Sequence, residues 1–146
     1  MVELDDLISR LLRDAVADGV PCLVGTASAA GEPQISPKGS VAVFGPQSLS
    51  YWERSHRSSQ QHIRENPRVV VYYRNPARAA EMPYRGGALR FHGRAKIVES
   101  GPDRDRAWDL TIPLEQEKDP DRKGVAILIE VDRVEELSGN VVMRKD

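Results

Sequence analysis

The chain has 146 residues, 40% of them hydrophobic, which suits one globular domain better than two. A formal net charge of −1 lacks the basic excess of a protein that wraps nucleic acid, although Arg54, Arg57 and Arg64 cluster locally. No apolar run approaches the roughly 18 to 20 residues that span a bilayer, and the acidic amphipathic start is unlike a signal peptide, so a cytoplasmic protein without a membrane partner is expected.

A helix is predicted over 4–18, because Leu4, Leu7, Ile8, Leu11, Leu12 and Ala15 recur at three- and four-residue spacing while Arg10, Arg13 and Asp14 take the other face. Asp5 or Asp6 suits its positive end and Gly19 its stop. The texture then turns to strand. Val20 to Ser28 is short and apolar, Ala29-Ala30-Gly31-Glu32 turns the chain, and a return strand starts from Pro33 to Ser36. Cys22, the only cysteine, has no internal disulfide partner and reads as a buried position of the first strand. Ser40 to Phe44 stays apolar, Gly45-Pro46-Gln47 turns again, and Ser48 to Trp52 gives another strand before the polar stretch Glu53 to Ser59.

A short helix is expected from Ser58 to Asn66, stopped by Pro67. Arg68 to Tyr73 has the strongest β composition in the chain, and Ala88 to Val98 reads as a long strand bent at Gly93. Gly101-Pro102 opens a charged helix over about 103–110, and the runs Asp103 to Arg106 and Glu115 to Lys123 read as solvated faces and loops. Val125 to Val131 is the last apolar strand, with Asp132 to Met143 returning along a sheet edge. Antiparallel connections dominate this order, which predicts a mainly β barrel decorated by helices. With no repeat or linker, 1–146 reads as a single domain whose barrel occupies about 20–137.

Thr26-Ala27-Ser28, Gly31-Glu32-Pro33, Ser36-Pro37-Lys38-Gly39, Leu49, Trp52, Asn66-Pro67-Arg68-Val69 and Gly93-Arg94-Ala95 follow one another in an order similar to that of the pyridoxamine-phosphate-oxidase-like flavin-binding proteins. The likeness extends from about Leu7 to Leu137. It implies a six-stranded antiparallel split β-barrel that forms a homodimer, with flavin mononucleotide (FMN) between the subunits and a small-molecule substrate. Carried onto this chain, it places Ser36, Lys38, Gly39 and Ser40 against the flavin and its phosphate, with Lys38 the natural cation. Trp52 and Glu53 would meet the ring edge and ribityl chain. The phosphate clamp falls at Arg57, Ser58 and Ser59, where free helix-start amides favour an anion.

Two departures from the family pattern matter. Many members carry an arginine and a lysine where this chain has Ser58 and Ser59, so either Arg57 and Lys38 supply the charge or the phosphate is held more weakly. Ala88, with Leu89 and Arg90, lies where some members present a glutamine to the flavin of the other subunit. An alanine cannot make that hydrogen bond, which argues against oxidation of pyridoxamine phosphate itself. The expectation is therefore an FMN-dependent oxidoreductase that moves electrons between a reduced nicotinamide and a small organic acceptor. Its alternatives are a deazaflavin-dependent reductase of the same fold and a non-enzymatic flavin or haem binder. His56, His62 and His92 have no metal-ligand spacing, and the chain carries neither a phosphate loop nor a dinucleotide-binding glycine turn.

Overall fold

Asp5 opens the first helix by accepting a hydrogen bond from the Ile8 amide at 2.9 Å, and α1 runs Asp6–Asp14 in the computed structural model, which describes residues 1–146. The helix is shorter than 4–18 at both ends. Leu4 instead lies outside the helix, its amide donating to the Pro46 carbonyl, while a run of irregular turns from Ala15 to Gly19 replaces the final helical turns. The helix therefore stops before the expected Gly19, which ends the turns instead, at φ 78°, a conformation that only glycine adopts freely.

Eight strands follow: β1 (Cys22–Ala27), β2 (Pro33–Lys38), β3 (Ala42–Gly45), β4 (Ser48–Glu53), β5 (Arg68–Arg74), β6 (Ala88–Val98), β7 (Val125–Glu136) and β8 (Val141–Arg144). Three more helices interrupt them: α2 (Ser58–Glu65), α3 (Pro102–Leu110) and α4 (Pro113–Gln116). Two of the strands, β3 and β8, have four residues each, which lifts the count above six. Every pairing is antiparallel, in the order β2-β1-β5-β6-β7-β4-β3 with β8 added to β7. The sheet stays open between β2 and β3, the architecture of a split barrel.

The bend expected at Gly93 is a shift in register between β6 and β7, where His92 faces Arg133 and Gly93 faces Val131. A Cβ at Gly93 would lie 2.2 Å from the Glu130 carbonyl oxygen. The bulge lets β7 continue to Glu136, five residues past its expected end at Val131, so the returning edge strand starts only at Val141. Ile8, Leu11 and Leu12 of α1 pack with Val24, Val71, Phe91, Ile127 and Ile129 in the main core. Burying each such side chain is worth about 1.5–3 kcal/mol. Cys22 sits in the same core, and burial pushes its thiol up to about 12. A second, smaller core forms on the other face of β4 and β7 from Trp52, Ala107, Trp108, Ala126 and Leu128.

Candidate functional site

The edge strand β2 ends at Lys38 and β4, which lies between β7 and the short edge strand β3, ends at Glu53; these two ends meet without pairing to each other, beside the opening of the sheet. Alternation along β2 puts Gln34, Ser36 and Lys38 on one face, in register with the buried Thr26, Val24 and Cys22 of β1. Pro33, Ile35 and Pro37 take the opposite face. Ser40 ties the seam together, because its hydroxyl accepts from the Trp52 amide at 2.9 Å and donates to the Trp52 carbonyl at 3.2 Å.

Beyond Ser40 opens a cleft of about 440 Å³. Lys38, Gly39, Ser40, Trp52, Glu53 and Arg57 line it, together with Arg54, Ser55, Glu115 and Lys118. At its centre the Lys38 ammonium donates to both oxygens of Glu53 at 3.0 Å, and the Glu53 side chain is 3% exposed. The Ser59 hydroxyl, 3.4 Å from Oε2, is a third donor to the same carboxylate. Lys38 also lies 5.8 Å from the centre of the Tyr51 ring. Burial, and then the negative charge of Glu53, push the Tyr51 hydroxyl far above its ordinary range, so it stays neutral.

The remaining cleft charges divide into two kinds. Lys118 is paired with Glu115 at 2.7 Å, and the Glu115 carboxyl lies against Gly39, where a Cβ would approach it to 2.9 Å. Arg54 and Arg57 are exposed, and their side chains make neither an ion pair nor a hydrogen bond. Arg57 is also the residue on which α2 begins, with no side chain capping the helix. The amides of Ser58, Ser59 and Gln60 therefore lack protein partners, as the first amides of a helix do when no cap reaches them.

Ser58 does not cap α2; its hydroxyl donates to Gln34 Oε1 at 2.9 Å, and Gln34 Nε2 donates in turn to Ser36 at 3.3 Å. That chain of polar groups joins Ser36 to the helix start. Ala88 and Arg90 lie outside the cleft of a single chain. Ala88 is fully buried, and Arg90 stands on the outer face of β6, bonded to Glu135 at 3.2 Å and to the Leu137 carbonyl. Trp52 borders the cleft, but its indole is committed elsewhere. Its ring N–H donates to Asp119 at 2.8 Å, Trp108 meets it edge-on at 4.9 Å and the Arg104 guanidinium covers it at 4.8 Å.

Sequence reasoning missed Arg54, Glu115 and Lys118, since charges in runs look solvated until the fold brings α4 over Gly39. Asp119, in the loop expected to be exposed, is buried and accepts from Trp52 and from the amides of Lys123 and Gly124. A tryptophan in a strand needs an acceptor for its N–H when buried, and that was the available signal.

An open antiparallel barrel whose seam holds a polar cleft is the fold of the FMN-binding split barrels. A family model for pyridoxamine 5'-phosphate oxidase matches residues 8–138, and the chain belongs to that family. No curated protein sequence matches it. Among solved structures, HupZ from Group A Streptococcus is 23% identical with a TM-score of 0.69, over 93% of this chain and 99% of that one. An FMN-binding protein from Syntrophomonas wolfei subsp. wolfei is 10% identical with a TM-score of 0.65, over 98% and 91%. An F420 reductase is 18% identical with a TM-score of 0.59, over 86% and 94%. At these identities the likeness is one of fold.

Proposed function

We propose that the protein is a cytoplasmic FMN-binding oxidoreductase that holds its cofactor in the cleft at the open seam and works as a homodimer. The observation that carries this reading is the uncapped start of α2, with three partnerless amides beside two arginines that have no counter-ion. A phosphate dianion needs donors and positive charge in that arrangement. The phosphate end of FMN therefore fits these residues. The ring end is less complete, because Trp52 is the only aromatic residue lining the cleft and its indole is already covered. A second subunit is the natural source of the missing wall.

Bound FMN supplies hydride and electron transfer between a reduced nicotinamide and a small organic acceptor. The chain's own part is to orient the cofactor, exclude water and set the charge around it. Arg57 and the Ser58 and Ser59 amides hold the phosphate, and Gly39 and Ser40 keep the backbone of the seam close to the ligand. Lys38 and Glu53 present a polar, internally balanced wall. None of these residues is arranged as a nucleophile with a base, so no side chain is assigned a catalytic step. Two free cations suit one phosphate better than the longer acidic tail of a deazaflavin cofactor, and no histidine lines the cleft to ligate haem.

The test is an absorbance spectrum of the purified protein before and after addition of FMN, with free pigment removed by size exclusion. Flavin bands that co-elute with a dimer, followed by oxidation of a reduced nicotinamide, are expected. A protein that stays colourless at saturating FMN overturns the proposal.

A further inference from the structure

The Lys38–Glu53 pair makes the predicted phosphate cation unavailable to a phosphate. Lys38 gives two hydrogen bonds to a carboxylate that is almost wholly buried, and Ser59, at a position where many family members place a cation, gives that carboxylate a third. A carboxylate ringed by three donors occupies the Lys38 ammonium on both of its oxygens, and its negative charge opposes any anion that enters beside it. Glu115 does the same for Lys118 on the other wall of the cleft. Of four cleft cations, only Arg54 and Arg57 are left without a counter-ion.

We infer that Glu53 is a specificity-determining residue, which neutralises Lys38 from within so that the cleft grips a single phosphate through Arg54 and Arg57 and refuses additional negative charge. The inference deepens the FMN reading and rests on it. On this account the pair contributes no net charge to ligand binding. Removing the carboxylate alone exposes a positive charge, whereas removing both members leaves the balance unchanged.

The experiment compares the affinity of FMN with that of riboflavin, which lacks the phosphate, by quenching of flavin fluorescence. It uses the wild type, Glu53→Gln, and the double variant Lys38→Met with Glu53→Gln, each checked for folding by circular dichroism and thermal denaturation. Glu53→Gln keeps the shape and a hydrogen-bond acceptor, and its preference for FMN over riboflavin is expected to rise about tenfold or more. The double variant should keep the wild-type preference to within about threefold. An unchanged preference in folded Glu53→Gln overturns the inference, as does a double variant that loses the preference for FMN, since Lys38 would then be the phosphate ligand. If the wild type binds neither flavin, the FMN proposal fails, and the inference is read separately from stabilisation by inorganic pyrophosphate. Glu53→Gln should gain more in melting temperature from pyrophosphate than the wild type does. Equal gains overturn it.

Discussion

Asp119 gathers three donors on one buried carboxylate: the Trp52 indole at 2.8 Å, the Gly124 amide at 2.8 Å and the Lys123 amide at 2.9 Å. Burial works to raise its pKa, but these donors, with the Arg104 guanidinium nearby, outweigh burial and hold it below the usual 3.8. A carboxyl depressed in the folded state contributes stability that is complete above its unfolded pKa and is lost as pH falls through the folded value. The Asp119 contribution is therefore expected to be full at neutral pH, to begin to fall below about pH 4 and to vanish only as the pH passes the lower folded value. Asp119→Ala should cost about 2–3 kcal/mol in urea denaturation at pH 7, and the gap from the wild type should narrow in acid. The loss should also shift the fluorescence of Trp52. Arg57 poses the opposite case. Its side chain is exposed and has no partner within the chain, so Arg57→Ala should leave stability within about 0.5 kcal/mol while weakening FMN by about 1–3 kcal/mol in the same flavin titration. A stable Arg57→Ala protein with wild-type affinity would place the phosphate elsewhere.

At the scale of elements, the glycines show where two strands or a strand and a loop approach too closely for a side chain. A Cβ at Gly124 would lie 2.4 Å from the Glu53 carbonyl and 2.8 Å from Trp52 Nε1, so Gly124→Ala must push the loop after α4 away from the end of β4. Its expected cost is about 1–3 kcal/mol, read as a lower urea midpoint, with Glu53 displaced and flavin affinity reduced. Local signals in the sequence located much of this framework. The acidic start at Asp5, the Asn66-Pro67 boundary after α2, the full length of β6 and the bend at Gly93 all follow from short-range chemistry that a neighbour or two decides. The parts that escaped depend on contacts far along the chain. Asp119 meets a tryptophan 67 positions away, and Glu115 covers Gly39, so nothing within their own charged run distinguishes them from solvated neighbours. Lys38 was legible as a cation at the seam, but its partner was not, because the β2 and β4 ends converge only when the sheet is assembled.

For the molecule as a whole, the outer face of β2, β1, β5 and β6 is the surface left without cover. One row across it reads Pro37, Leu23, Tyr72 and Arg90, and the next reads Ile35, Gly25, Val70 and His92. Ile35 is 71% exposed, at the β2 end of an apolar strip that a soluble monomer rarely displays. Arg90 lies at the end of this strip, held by Glu135, which also bonds His92 at 2.9 Å and Arg133 at 3.2 Å. That carboxylate fixes three cationic or ionisable groups on the β6 side of the apolar rows, giving that side of the face the polar border of an interface. A second copy docked here would cover Ile35 and Leu23, and the partly exposed Arg90 of its own β6 is the residue of that strand that could reach the cleft whose ring wall is incomplete. Ile35→Asp should then convert the dimer to a monomer in size exclusion with light scattering. The isoleucine makes no contact with the cleft, so a fall in FMN affinity on the same substitution would mean that the second subunit completes the site. A monomeric Ile35→Asp protein that binds FMN as tightly as the wild type would show that one chain suffices, and the role of Arg90 would then be confined to the rim it shares with Glu135.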